Sequence, residues 1–145
     1  MQQKKRTAMM AVGRTHFVWE KLNRTAAARL GVPESYIKLI LFLSRHPGAG
    51  QKETAEFSHV STAAVNQTVK EMLSEGFLRK EADETDKRRS RLYLTEKGEN
   101  VSKRMMESFE DRDRRITEAL TPEKEKEIIM LLDKMRECME EEELC

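Results

Sequence analysis

The sequence predicts a mainly α-helical fold carrying one small β-hairpin, and three observations point that way. Of 145 residues, 37% are charged and 38% apolar, while Gly and Pro number only six and three; a chain so rich in charge and so poor in turn formers builds helices with long solvated faces. Apolar residues recur at helical spacing through most of the length. Only two short stretches, Phe77–Lys80 and Arg91–Leu94, read as strands, and they flank a charged, polar loop. The chain is one domain's worth and long enough for a hydrophobic core. Its mean hydropathy of −0.73 is low for a compact monomer of this size, which fits an extended helical shape that buries further surface against a second copy.

Residues 7–30 contain no Pro, and Val18, Leu22 and Ala26 fall one turn apart beside Phe17 and Trp19, so a first helix is expected there. Gly31 is placed to end it, and Pro33 to begin the next in its first turn. That second helix carries Tyr36, Ile37, Ile40, Leu41 and Leu43 and stops at His46-Pro47-Gly48. A short helix over about Gln51–Phe57 precedes a tight turn at Ser58-His59-Val60. Ser61 is the expected N-cap of a fourth helix running to about Glu75, closed by Gly76 in the left-handed conformation. After the hairpin, Thr95 caps a long charged helix that runs to about Leu120. Thr121-Pro122-Glu123 sets a capping Thr before a Pro at the first helical position. The last helix shows an apolar stripe of Ile128, Ile129, Leu131, Leu132, Met135 and Met139. The expected order is α-α-α-α-β-β-α-α.

Charge is distributed unevenly. Net charge is only +1, yet residues 1–32 hold seven Lys/Arg and one acid, whereas residues 121–145 hold four Lys/Arg and nine acids. A basic first helix and an acidic last helix attract each other, within a chain or between two chains. No stretch reaches the roughly 18 apolar residues needed to span a bilayer, and Ala8–Val12 is too short for a signal peptide; a cytoplasmic protein with no membrane partner is expected. The two cysteines, Cys138 and Cys145, lie at the far C-terminus and cannot staple a core.

On a helical wheel of Ser61–Glu75, Val65, Thr68, Val69, Met72 and Leu73 gather on one side, while Ala63, Asn66, Gln67, Lys70 and Ser74 lie mostly on the other. This is the chemistry of a major-groove helix. Small residues such as Ser61, Thr62 and Ala63 permit close approach, Asn and Gln make bidentate bonds to adenine, and Lys reaches phosphate or guanine. Lys87–Arg91 then places four basic residues in five at the tip and returning strand of the hairpin. An exposed basic hairpin beside a polar helix follows the DNA backbone and inserts a side chain into the minor groove. Asp86 is spaced to orient the Arg88 guanidinium. Helix, glycine stop and basic hairpin together make Pro33–Thr95 a winged helix-turn-helix.

Asp83-Glu-Thr-Asp-Lys-Arg-Arg-Ser-Arg-Leu-Tyr-Leu-Thr-Glu-Lys-Gly98 resembles the wing of the MarR family of bacterial transcription regulators. The family's Asp-x-Arg, followed by Leu-Thr-x-x-Gly opening the next helix, is met by Asp86, Arg88, Leu94, Thr95 and Gly98, with Leu73 and Gly76 matching before it. Two departures stand out: Thr54-Ala55 replaces a usual Leu-Ala pair, which weakens that core contact, and Thr85 occupies a wing position where Arg is common, so minor-groove contact rests on Lys87 or Arg88. The resemblance implies that residues 1–32 and 98–145 supply dimerisation helices around a DNA-binding region at 33–97. It also implies an effector pocket in many members, for which His16, Trp19, Tyr36, Phe42 and Phe109 are the candidates here.

Other chemistry finds little support. His16, His46 and His59 stand on different elements without zinc-site spacing, and no phosphate loop, catalytic triad or paired carboxylate can be read. A reactive thiolate is disfavoured beside Glu140–Glu143. The expectation is therefore a non-enzymatic, sequence-specific DNA-binding regulator without cofactor or metal. It is read as a homodimeric repressor on double-stranded DNA with a pseudo-palindromic operator, modulated by a small aromatic effector. The DNA-binding set is Ser61, Thr62, Ala63, Asn66, Gln67, Lys70, Asp86, Lys87, Arg88 and Arg89. Because residues 58–97 hold eight Lys/Arg against seven acids, a winged-helix protein-interaction module without DNA binding remains the alternative.

Overall fold

The computed structural model describes residues 6–58, 61–86 and 89–142. Among these, the chain forms α1 (Ala8–Arg29), α2 (Glu34–Arg45), α3 (Gln51–Ser58), α4 (Thr62–Ser74), β1 (Leu78–Ala82), β2 (Ser90–Leu94), α5 (Glu96–Leu120) and α6 (Pro122–Glu142). This is the expected order, mainly α with a two-stranded antiparallel hairpin. The turn expected at His59 and Val60 lies outside the described residues, as do Lys4 and Lys5, Lys87 and Arg88, and Cys145. The fold divides into two compact units, Met1–Met106 and Glu107–Cys145.

The core of the first unit is built from Tyr36, Ile40 and Leu43 of α2, Val65, Val69 and Met72 of α4, Leu92 of β2 and Met105 of α5, all fully buried. In α5, Gly98, Val101, Ser102 and Met105 are the buried positions, an i, i+3, i+4, i+7 stripe of one helix face. The punctuation read from the sequence has a backbone cause. Gly31, Gly48 and Gly76 all take positive φ, at 70°, 83° and 77°, where a side chain would strain the chain. Two details differ. Pro33 is the extended N-cap residue of α2 rather than its first helical one. Thr121 takes φ of +65°, not the extended backbone usual for an N-cap, although Pro122 does open α6.

The hairpin pairs Leu78 with Leu94, Lys80 with Leu92 and Ala82 with Ser90. Its outer side is extended by the loop after α2: Gly48 N–H donates to the Leu92 carbonyl at 2.8 Å, and Leu92 N–H donates back to Ala49 at 3.1 Å. Three backbone segments thus hold the wing's root beside α3. Thr54, expected to weaken the contact before α4, is wholly buried; its hydroxyl donates to the Gly50 carbonyl at 2.8 Å. A buried hydroxyl with such a partner costs little.

The apolar positions of α1 behave unlike a core stripe. Only Ala27 is buried there, while Phe17, Val18, Trp19 and Leu22 are exposed in the single chain. On α6, Ile128, Ile129, Met130, Leu131 and Leu132 are exposed as well. Among the described residues, no helix is long and apolar enough to cross a membrane.

Candidate nucleic-acid interface

Burial of Val65, Val69 and Met72 fixes which way α4 faces. Thr62, Ala63, Asn66, Gln67 and Lys70 are all exposed, and so is Ser61. Ser61 Oγ accepts from the Ala64 N–H at 3.2 Å, satisfying one of the free amides at the helix start. The six positions read from the sequence therefore share the N-terminus and one open face of this helix. Thr68 and Leu73, assigned to the inner side, are half-buried at its margin.

The exposed face holds one residue that sequence reasoning left out. Glu71 Oε1 accepts a hydrogen bond from Gln67 Nε2 at 2.7 Å. Lys70 and Glu71 are the only charged side chains between Thr62 and Ser74, so the helix carries no net charge of its own.

The wing is organised by Asp83. Its Oδ1 accepts from the Thr85 amide at 2.8 Å, the Thr85 hydroxyl at 2.7 Å and the Asp86 amide at 3.2 Å. Its Oδ2 accepts from Arg91 Nε at 3.0 Å. These bonds, led by the Thr85 hydroxyl and followed by the two amides and Arg91, hold the Asp83 carboxyl well below the usual carboxylate range. Arg91 is raised in turn by the same partner. Asp86 Oδ2 stands 3.5 Å from Arg89 Nε; Arg88, which Asp86 is expected to orient, lies with Lys87 outside the described residues. The signal for Asp83 was present in the sequence. An Asp two residues before a Thr is the pattern of a side-chain-closed turn, and Arg91 lies across the hairpin from it.

Thr95 and Gly98 explain why the segment after the wing has the form Leu-Thr-x-x-Gly. The Thr95 hydroxyl donates to the Gly76 carbonyl at 2.6 Å and accepts from the Gly98 N–H at 3.3 Å, while Thr95 N–H donates to the Phe77 carbonyl at 3.0 Å. One threonine thereby caps α5 and ties it to the end of α4. Nearby, the Tyr36 hydroxyl donates to Glu75 Oε1 at 2.9 Å and its ring meets Phe77 edge-on. Both contacts hold the C-terminus of α4 against α2.

The aromatic candidates for an effector site stand on three helices, α1, α2 and α5. His16 and Trp19 stand on the surface of α1, with His16 Nε2 3.4 Å from Glu20 Oε1. Tyr36 is buried against Phe77, and Phe42 stacks on Phe57 at 4.5 Å and lies beside His46. Phe109, half-buried in the second unit, lies under the Arg112 guanidinium at 5.5 Å. A cleft of about 410 Å³ in the first unit is lined by both polar and apolar groups, among them Arg24, Lys38, Leu39, Ala64, Val65 and Thr68.

With this geometry in view, residues 30–89 match the profile of the MarR family. This segment is similar to MarR family sequences. A curated relative, the HTH-type transcriptional regulator BilQ of Clostridium symbiosum, is 27% identical over 105 residues, covering 72% of this chain and 73% of that protein. Among solved structures, the transcriptional regulator SlyA superposes with a TM-score of 0.77 at 20% identity, covering 94% of this chain and 96% of that one. A MepR–DNA complex of S. aureus matches with a TM-score of 0.77 at 14% identity, covering 92% and 96%. The MarR profile spans α2, α3, α4 and β1 and ends before β2, while these superpositions extend the fold likeness over nearly the whole chain.

Proposed function

We propose that this chain is a MarR family member, a homodimeric, sequence-specific DNA-binding transcription regulator in the cytoplasm, acting as a repressor by occupying a pseudo-palindromic operator. The observation that carries the reading is α4: an exposed face of Ala63, Asn66, Gln67 and Lys70 beside a hairpin whose turn is locked by Asp83. In the major groove the amides read bases, and the wing's Arg89, with Lys87 and Arg88, follows the adjacent backbone. The S. aureus MepR structure, which shares this fold and was solved as a DNA complex, supports DNA as the partner.

Dimerisation is supported by the apolar side chains left open on α1 and α6, since contiguous exposed apolar surface marks an interaction site. In this reading residues 1–32 and 98–145 pair two copies, and residues 33–97 of each meet DNA half-sites about one helical turn apart. A small-molecule effector acts by changing the spacing of the two α4 helices. The cleft touching Ala64 and Thr68 is one place where binding moves α4 directly.

Binding of the full-length chain to duplex DNA by fluorescence anisotropy, repeated across a salt series, tests the reading. Phosphate contacts release counterions, so the affinity falls steeply as salt rises. Flat salt dependence or no duplex binding favours a protein-interaction module instead. Arg88→Ala is expected to weaken duplex binding strongly; binding equal to wild type at physiological salt rules the wing out as a contact.

A further inference from the structure

The Gln67–Glu71 bond places a carboxylate in the middle of the surface that, on the proposed reading, enters the major groove. Glu71 is exposed on the same helix, one turn beyond Gln67, and Nε2 donates to its Oε1 at 2.7 Å. Exposed long side chains on a helix ordinarily move among rotamers, and this one is held by a partner already on its own helix. We propose that Glu71 is a positioning residue that sets base preference, by fixing the Gln67 amide for adenine and penalising phosphate in any other register.

Two physical arguments carry this, and both rest on the DNA-binding reading above. A primary amide has an oxygen and two N–H bonds. Bidentate pairing with adenine uses the oxygen and one N–H, which leaves the second N–H for Glu71 without competition. The amide is then oriented before DNA arrives, and less side-chain freedom is lost on binding. The second argument is charge. Lys70 is the only cation on α4 and Glu71 the only acid, so the helix gains no general attraction to the backbone. An anion held in the groove is tolerated where it faces the exposed amino group of a base and is repelled where it faces phosphate. Glu71 thus trades affinity for all duplexes against preference for a few.

The test is enrichment of bound sequences from a randomised duplex pool by the full-length wild-type chain and by Glu71→Ala, Glu71→Gln and Gln67→Ala, with anisotropy on an unselected pool in parallel. Wild type is expected to enrich an adenine position that Gln67→Ala loses, with a preference of about 10-fold over other bases. Glu71→Ala should flatten that same position to within about 3-fold while binding the unselected pool more tightly. Glu71→Gln keeps an oxygen that accepts from Nε2, so it should restore the adenine preference while retaining the tighter general binding. Unchanged discrimination in Glu71→Ala overturns the proposal and leaves the DNA-binding reading standing, as does a uniform loss of affinity over all sequences. Absence of any enrichment and any duplex binding by wild type overturns both.

Discussion

Gly98 lies directly against the backbone of Phe77: a Cβ at Gly98 would stand 2.4 Å from the Phe77 carbonyl oxygen. The first turn of α5 can therefore approach the turn between α4 and β1 only without a side chain. Thr95 then bridges the two segments through Gly76 and Phe77.

Gly98→Ala measures what this approach is worth. In a free helix the change gains about 1 kcal/mol of propensity. Here the obstacle is a backbone carbonyl rather than a flexible side-chain end, and forced overlap of this kind costs about 1–3 kcal/mol. Overlap with backbone should take the upper part of that range and win, giving a net loss of about 2 kcal/mol. Thermal unfolding should shift down by about 5 °C or more. An unchanged or higher melting temperature would show that α5 can move away from Phe77 freely.

Tyr36 gives a pH-dependent counterpart. Burial first, then its bond to Glu75, pushes the Tyr36 hydroxyl up from 10.0 to about 12. A group whose pKa is raised by folding contributes stability that is whole below its unfolded value and fades as pH climbs through the folded one. That contribution should thus be intact below pH 10 and decline between 10 and 12. Tyr36→Phe removes it and leaves Glu75, which is exposed, to water, for a cost of about 1–2 kcal/mol at neutral pH. In an ultraviolet titration, a tyrosinate step near pH 12 should be present in wild type and missing from this variant.

These two positions show what was legible in the sequence. Gly98 and Thr95 were read as a motif, yet the reason for the glycine, a carbonyl 2.4 Å from its absent Cβ, belongs to packing and has no local signature. Tyr36 was read as an apolar helix position and an effector candidate; its partner Glu75 stands 39 residues away, beyond any local pattern. The order of elements, by contrast, followed from periodicity, caps and glycines, all of which act within a few residues. The apolar stripes on α1 and α6 were equally plain, but periodicity reports a face and not what covers it. Gln67 is legible from its place on the wheel, whereas Glu71 enters only through its hydrogen bond to Gln67, which a wheel does not report.

Thr121 is the position where a substitution should improve the chain. It is the one non-glycine at positive φ among the described residues, at 65°, and a β-branched residue is a poor fit there. Such strain costs about 1–3 kcal/mol, against about 0.5–1 kcal/mol of extra entropy lost by a glycine on folding. Thr121→Gly should then stabilise by about 1 kcal/mol, read as a higher denaturant midpoint with an unchanged slope. A lower midpoint would mean that the threonine side chain contributes more to the start of α6 than its backbone strain costs.

The wing offers the most direct link from local chemistry to DNA. Asp83 closes the turn through Thr85 and Asp86 and anchors Arg91, and its carboxyl is held well below the ordinary 3.8. A pKa lowered by folding contributes order that is present above the unfolded value and lost as pH falls through the folded one. The Thr85 and Asp86 amide resonances should consequently keep their folded positions down through pH 3.8 and move only in more acidic solution. Asp83→Asn retains an oxygen acceptor for the turn but gives up the charge that holds Arg91, whereas Asp83→Ala removes both. Duplex binding at neutral pH should therefore fall in the order wild type, Asn, Ala, with thermal unfolding little changed because Asp83 lies in the wing's turn, outside the core. Equal binding by all three would separate the turn's order from DNA contact and leave the basic side chains of the wing to act without it.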